Sequence, residues 1–199
     1  MTRLIIAFGV SGWVAQADAF TPYRLLFSAV KSPESASVFI QDKRLKSQLK
    51  RALVLAVPES TLSVSSYVFG GHAYLVGWVD DVNERGEIEE AAKSIGGIQS
   101  VDVYLPIKPK GDAAPSSVDE LKLKTSVVAS LVEAMGTDQT NVSVDVLGTH
   151  VVLVGVVGSA SQVHSAREAA EGTKGVSSVT SYLSVPPPAD RKLLGRRLP

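Results

Sequence analysis

Few side chains in this 199-residue chain could do acid–base or metal chemistry, and two of them stand at equivalent places, His72 and His150. Each follows a glycine-bearing turn, Gly70-Gly71 in one case and Gly148-Thr149 in the other. Neither has a second histidine, a cysteine or a carboxylate at ligand spacing, so the pattern of a zinc site is missing. The serines at Ser60 to Ser66 and Ser177-Ser178 lack the Gly-x-Ser-x-Gly elbow that would expose a nucleophile. No Gly-x-Gly-x-x-Gly or Walker pattern offers a phosphate cradle. Asp80-Asp81 with Glu84, Glu87, Glu89 and Glu90 has the look of an acidic helix start, where carboxylates oppose the helix dipole, and not the spacing of a calcium loop. With no cysteine, disulfides, thiolate catalysis and an N-terminal cysteine lipid anchor are excluded. The expectation is a protein without catalytic residues, metal or cofactor.

The two histidines match because the chain repeats itself. Leu75-Val76-Gly77-Trp78-Val79 returns 78 positions later as Leu153-Val154-Gly155-Val156-Val157. The same offset pairs Leu45-Lys46 with Leu123-Lys124, Glu90-Ala91-Ala92 with Glu168-Ala169-Ala170, and Tyr104-Leu105 with Tyr182-Leu183. Roughly 22 of about 66 aligned positions are identical without a gap, the self-similarity of a duplicated domain. A module of this size buries only about 60 % of its unfolded surface, so each is marginal alone and is expected to lean on its twin.

Within a module the apolar spacing predicts five elements. Leu45, Leu49 and Leu53 mark an amphipathic helix from near Asp42 to the stop at Pro58; Leu123, Val127 and Leu131 repeat it, with Asp119 as N-cap and Gly136 as stop. Val142, Val144 and Val146 alternate with Ser143 and Asp145, which predicts a strand with one face buried and one wet. A hairpin turn and a return strand follow, then a helix carrying Ile88, Ala91 and Ala92, or Val163, Ala166 and Ala170. Gly97 and Gly175 are read as helix-ending glycines, and Gly77 and Gly155, inside strands, as positions where a helix packs close. A last strand closes the unit. The order helix–strand–strand–helix–strand is α+β: two tandem αββαβ modules, each a three-stranded sheet with two helices packed on one face. The last two strands, joined through a helix, are expected to be parallel with a right-handed crossover.

The ends read differently. Met1-Thr2-Arg3, an apolar run from Leu4 to Ala15 and Ala17-Asp18-Ala19 make an export signal over 1–19, too short to span a bilayer. Residues 20–37 are a tether, 38–107 the first module, 108–117 a Pro/Gly/Ser-rich linker, 118–185 the second module, and 186–199 a Pro-rich spacer and basic tail. Formal net charge is zero, which argues against nucleic-acid binding, yet Arg191, Lys192, Arg196 and Arg197 fall in the last nine residues. That tail is either a salt-sensitive contact for an anionic membrane or a partner, or a solvated end. Trp78, facing Val156 in the repeat, is either packing between modules or an amphipathic aromatic at a lipid interface.

Asp42-x-x-Leu45-x-x-x-Leu49-x-x-x-Leu53, the Leu-Val-Gly-x-Val strand, the Glu-Ala-Ala helix and the Gly-[Ile/Val]-x-Ser-Val entry to the last strand resemble BON domains (bacterial OsmY and nodulation). Glu120 takes the aspartate's place in the second copy. The resemblance implies a dual-BON protein of the periplasm, peripheral on the outer membrane, binding phospholipid and supporting envelope integrity or osmotic-stress protection. On that basis the expected partners are an anionic phospholipid surface or envelope proteins. The candidate lipid face is the first helix of the second module with Lys122 and Lys124 on its polar side, helped by the tail. The rival is a protein–protein module that recruits through sheet edges or the sheet face opposite the helices.

Overall fold

The first helix begins earlier than the leucine spacing indicates. In the computed structural model, which describes residues 33–58, 63–136 and 142–185, α1 spans Pro33–Ala56, so it takes in the end of the expected tether. Pro33 suits the first helical position, where an N–H would have no intrahelical acceptor. The signal at 1–19, most of the tether and the tail at 186–199 lie outside the described residues.

From α1 the chain passes to β1 (Val64–Phe69) and β2 (His72–Gly77), antiparallel with Val64 opposite Gly77. Helix α2 (Val82–Lys93) then crosses to β3 (Ser100–Tyr104), which lies parallel to β2. A 3-10 turn at Gly111–Ala113 leads to the second copy: α3 (Ser117–Met135), β4 (Val142–Leu147), β5 (His150–Val156), α4 (Ala160–Glu171) and β6 (Ser178–Ser184). Sheet orders are β1-β2-β3 and β4-β5-β6, with the same antiparallel and parallel pairings. The αββαβ expectation holds in both copies.

The caps differ from the expected ones. Ser116, not Asp119, caps α3; its hydroxyl accepts from the Asp119 N–H, which places Asp119 inside the first turn. Helix α2 opens on a reciprocal pair: Asp81 accepts from Glu84 N while Glu84 accepts from Asp80 N. Ser159 and Gln162 repeat this at α4, so the duplication kept the capping box with different residues. Helices α2 and α4 end at Lys93 and Glu171, with Ser94 and Gly172 as C-caps. Gly97 and Gly175 come later, with φ 102° and 98°, where the chain swings under Leu45 and Leu123 toward the last strand.

Two cores sit between helices and sheets, one around Leu49, Leu53, Leu75 and Ile88, the other around Val127, Leu131, Val151 and Leu153. A third apolar cluster corrects the expectation of a wet sheet face. Phe69 and Val76 of the first module pack with Leu147, Val152 and Val154 of the second, and Tyr67, Tyr74, Trp78, Tyr104 and Tyr182 surround them. Each sheet therefore has helices on one side and its twin on the other. Burial on both faces explains why β5 reads as an unbroken apolar run from Val151 to Val154. Each buried Val, Leu or Phe contributes about 1.5–3 kcal/mol, so this seam binds the modules firmly. Gly77 is also reassigned. A Cβ there would lie 2.1 Å from the Ser63 carbonyl oxygen, so it is the neighbouring chain entering β1, and not a helix, that demands glycine. Gly155 sits in the same register, opposite Val142.

Candidate functional site

The acidic residue at the motif position of each first helix, within α1 and in the first turn of α3, holds the adjacent hairpin. Asp42, only 3 % exposed, accepts from Gly70 N at 2.7 Å and Gly71 N at 2.9 Å. Glu120 accepts from Gly148 N at 2.6 Å and, being longer, also from the Trp78 indole N–H at 3.1 Å. The motif position is thus a clamp between helix and turn, and in the second copy it also ties the modules together.

The seam contains the most perturbed groups. Tyr67 donates to Asp145 at 2.8 Å, and Lys124 pairs with the same carboxylate at 3.5 Å. Tyr67 and Asp145 are equivalent positions of the repeat, so they meet near a pseudo-two-fold axis, as self-contacts do in a symmetric dimer. Burial, then the Asp145 charge, pushes the Tyr67 hydroxyl well above its ordinary pKa. Lys46, the counterpart of Lys124, lies over the Tyr67 ring at 5.5 Å, and burial lowers its pKa. Tyr74 and Tyr182 touch at 5.6 Å, and Tyr182 donates to the Val103 carbonyl.

The histidines are satisfied where they stand. His72 Nδ1 meets Ser100 Oγ at 2.5 Å across the parallel pair. His150 Nδ1 meets Ser178 Oγ, its Nε2 meets Thr180 Oγ1 at 2.9 Å, and its ring stacks on Tyr104 of the other module at 4.4 Å. Burial lowers the His150 pKa. Among the described residues no group of three or more histidine, aspartate or glutamate side chains is placed to hold a metal ion. A shallow groove between α2 and β3, lined by Arg85, Glu89 and Val103 to Pro106, has its arginine Nε occupied by the Leu105 carbonyl at 2.8 Å. None of this assembles a nucleophile with a base.

Among the described residues, one helix exposes an ordered apolar stripe, and it is α3. Its inner stripe, Leu123, Val127 and Leu131, packs on the second sheet. A second stripe faces solvent: Val118, Leu121, Val128 and Val132 are 60, 64, 39 and 45 % exposed. Thr125 completes it, with its hydroxyl bonded back to the Leu121 carbonyl at 2.9 Å. The equivalent residues of α1 are Ile40, Lys43, Ser47, Lys50 and Val54, apolar only at the ends.

The two lysines singled out from sequence divide. Lys122 is exposed and pairs with Asp119 at 3.2 Å, whereas Lys124 points to Asp145 in the seam. Trp78 is half-buried in the seam, and Arg191, Lys192, Arg196 and Arg197 lie outside the described residues. The solvent stripe was missed from sequence. Its signal was the 78-residue offset, which sets Leu121 and Val128 against Lys43 and Lys50.

The chain belongs to the BON-domain family, whose model matches residues 41–109 and 119–187, more than half of its length. BON domains are associated with envelope and osmotic-stress proteins and are generally non-catalytic; proteins carrying them are typically periplasmic or envelope-associated. No curated protein matches the chain. Among solved structures it is similar to CdsD, a structural protein of the type III secretion system of Chlamydia trachomatis. One CdsD structure matches at 12 % identity over 78 % of this chain and 99 % of that one, with a TM-score of 0.32. The CdsD C-terminal domain matches at 13 % over 73 % and 67 %, with a TM-score of 0.30.

Proposed function

We propose that this is a non-enzymatic, exported envelope protein that binds phospholipid surfaces through α3. The observation that supports this reading most directly is the exposed apolar stripe from Val118 to Val132 on an otherwise folded helix. No helix among the described residues is long and apolar enough to cross a membrane. The proposed mode is therefore a helix lying in the interface, with its apolar flank in the acyl boundary and Lys122 at headgroup level. Removal of that flank from water supplies roughly 25 cal/mol per Å².

Charge is secondary at the helix itself, because Asp119 and Glu133 flank the stripe alongside Lys122. The tail, with Arg191, Lys192, Arg196 and Arg197, adds a salt-sensitive share on anionic lipid, about 1 kcal/mol per residue near the surface. In this reading membrane attachment supports envelope integrity under osmotic stress. The rival module that recruits partners by its open sheet face has little support, since each sheet face is covered by the twin.

Liposome flotation of the full chain tests the proposal, with anionic and neutral vesicles at low and high salt. The expected result is flotation that the double variant Leu121→Lys, Val128→Lys removes, with a tail deletion after Pro188 lowering only the salt-sensitive part. Flotation unaffected by the double variant would overturn the role of α3. No flotation under any condition would overturn lipid binding.

A further inference from the structure

We infer that the solvent stripe of α3 pairs with the same stripe of a second copy, the two helices antiparallel about a two-fold axis. Val118, Leu121, Thr125, Val128 and Val132 follow one another at intervals of three, four, three and four residues. That alternation is the seam of a helix packed on a helix. It is also self-complementary. Leu121, Thr125, Val128 and Val132 are symmetrical about the midpoint between Ser126 and Val127. In an antiparallel pair centred there, Leu121 meets the partner's Val132, Thr125 meets the partner's Val128, and Val118 overhangs toward the partner's last turn.

The charges agree with this arrangement and oppose a parallel one. Lys122 and Glu133 are eleven residues apart, close to three helical turns, and so share one flank of the stripe. A two-fold axis perpendicular to the helices keeps that flank on the same side in both copies, bringing Lys122 beside the partner's Glu133, twice over. A parallel pair would put that flank on opposite sides of the seam in the two copies, so Lys122 would face the flank that carries the partner's Lys124 and would not meet a Glu133. On the opposite flank Lys124 is already held by Asp145 at 3.5 Å and does not intrude. The first module cannot make the same contact, because Lys43 and Lys50 stand where the seam needs Leu121 and Val128. One such face per chain gives a closed dimer and not a fibre.

A single helix pair falls at or below the low end of specific interfaces, roughly 1,200 Å², so the dimer dissociates readily. The lipid reading above is needed only for the consequence of the pairing: the dimer shelters the lipid stripe in solution and opens to release it on a bilayer.

The full chain contains no cysteine, so engineered thiols report cleanly. Chains carrying Leu121→Cys are mixed with chains carrying Val132→Cys and mildly oxidised. The expected product is the mixed disulfide, with little from either chain alone. Equal yield from Leu121→Cys alone would overturn the antiparallel pairing. Sedimentation should show a concentration-dependent dimer, weakened about fivefold by Glu133→Lys, as two exposed pairs imply, and restored when Lys122→Glu is added. A monomer at all concentrations with no mixed disulfide overturns the proposal, and it does so whether or not the chain floats. A dimer with the mixed disulfide but no flotation supports the pairing and refutes the lipid reading alone. If the wild type floats, vesicles should lower the disulfide yield; an unchanged yield overturns the competition.

Discussion

Helices α1 and α3 are copies that bury the same stripe and differ on the side that buries nothing. Leu45, Leu49 and Leu53 on one, and Leu123, Val127 and Leu131 on the other, meet equivalent sheets with equivalent glycines beneath. Facing solvent, α1 places Lys43 and Lys50 where α3 places Leu121 and Val128. The core demands the inner stripe in both copies, whereas the outer stripe is free to diverge, so divergence there points to function. The clamp residues differ for a related reason. Asp42 serves only its own hairpin, while Glu120 reaches across to Trp78 as well.

The largest effects test what the copies share. Leu53→Ala and Leu131→Ala, each emptying a site under 3 % exposed, should cost about 2–5 kcal/mol by chemical denaturation. Because the aromatic seam joins the modules, each variant should lower a single unfolding transition; two separate transitions would show that the modules do not lean on each other.

Next come the clamps. Asp42→Ala leaves the buried Gly71 N–H without its acceptor, an expected loss of about 1–3 kcal/mol, and frees the Gly70 N–H at the exposed tip, where water can replace it. Glu120→Ala frees one turn N–H and the Trp78 indole in a half-buried place, so the smaller loss is expected there, together with a shift in tryptophan fluorescence.

Tyr67→Phe should cost about 1–3 kcal/mol at neutral pH, since it removes the hydroxyl bonded to a carboxylate. It should also alter the alkaline limb. The folded pKa of Tyr67 lies above the unfolded value near 10, so its contribution is complete below about pH 10. That contribution is lost as pH rises toward the folded value. Tyr74, Tyr104 and Tyr182 are shifted the same way, so stability should fall steeply above about pH 10, and less steeply in Tyr67→Phe.

The smallest stability change belongs to the comparison itself. Leu121→Lys with Val128→Lys, which gives α3 the residues of α1, should leave stability within about 0.5 kcal/mol. The reciprocal pair, Lys43→Leu with Lys50→Val, should be equally mild and should confer flotation that survives loss of the α3 stripe. A chain that stays in solution after that transplant would show that the stripe needs its second-module setting.

The elements were legible because their signals are local. Leucines every four residues, the Val-x-Val alternation of β4 and turn glycines act within one element, and the 78-residue offset checked each against its copy. What failed to show was set by contacts distant in the chain. The alternation Ser143-x-Asp145 suggests a wet face, because serine and aspartate are equally at home in water. Only the pairing of Asp145 with Tyr67 and Lys124 shows that this face is covered. Lys122 and Lys124 look alike in sequence, yet the half turn and more between them sends one to solvent and the other into the seam.

By itself, then, the order of residues determined the αββαβ unit, its duplication and the absence of a recognisable catalytic pattern, since periodicity and motif spacing are properties of neighbouring positions. Tertiary structure alone decided that the two sheets stand back to back, because that depends on Tyr67 and Asp145 meeting across 78 residues. It also decided which apolar residues of α3 remain outside: Leu121 and Leu123 are the same amino acid two positions apart, and only the docking of the helix on its sheet buries one side and leaves the other to face water.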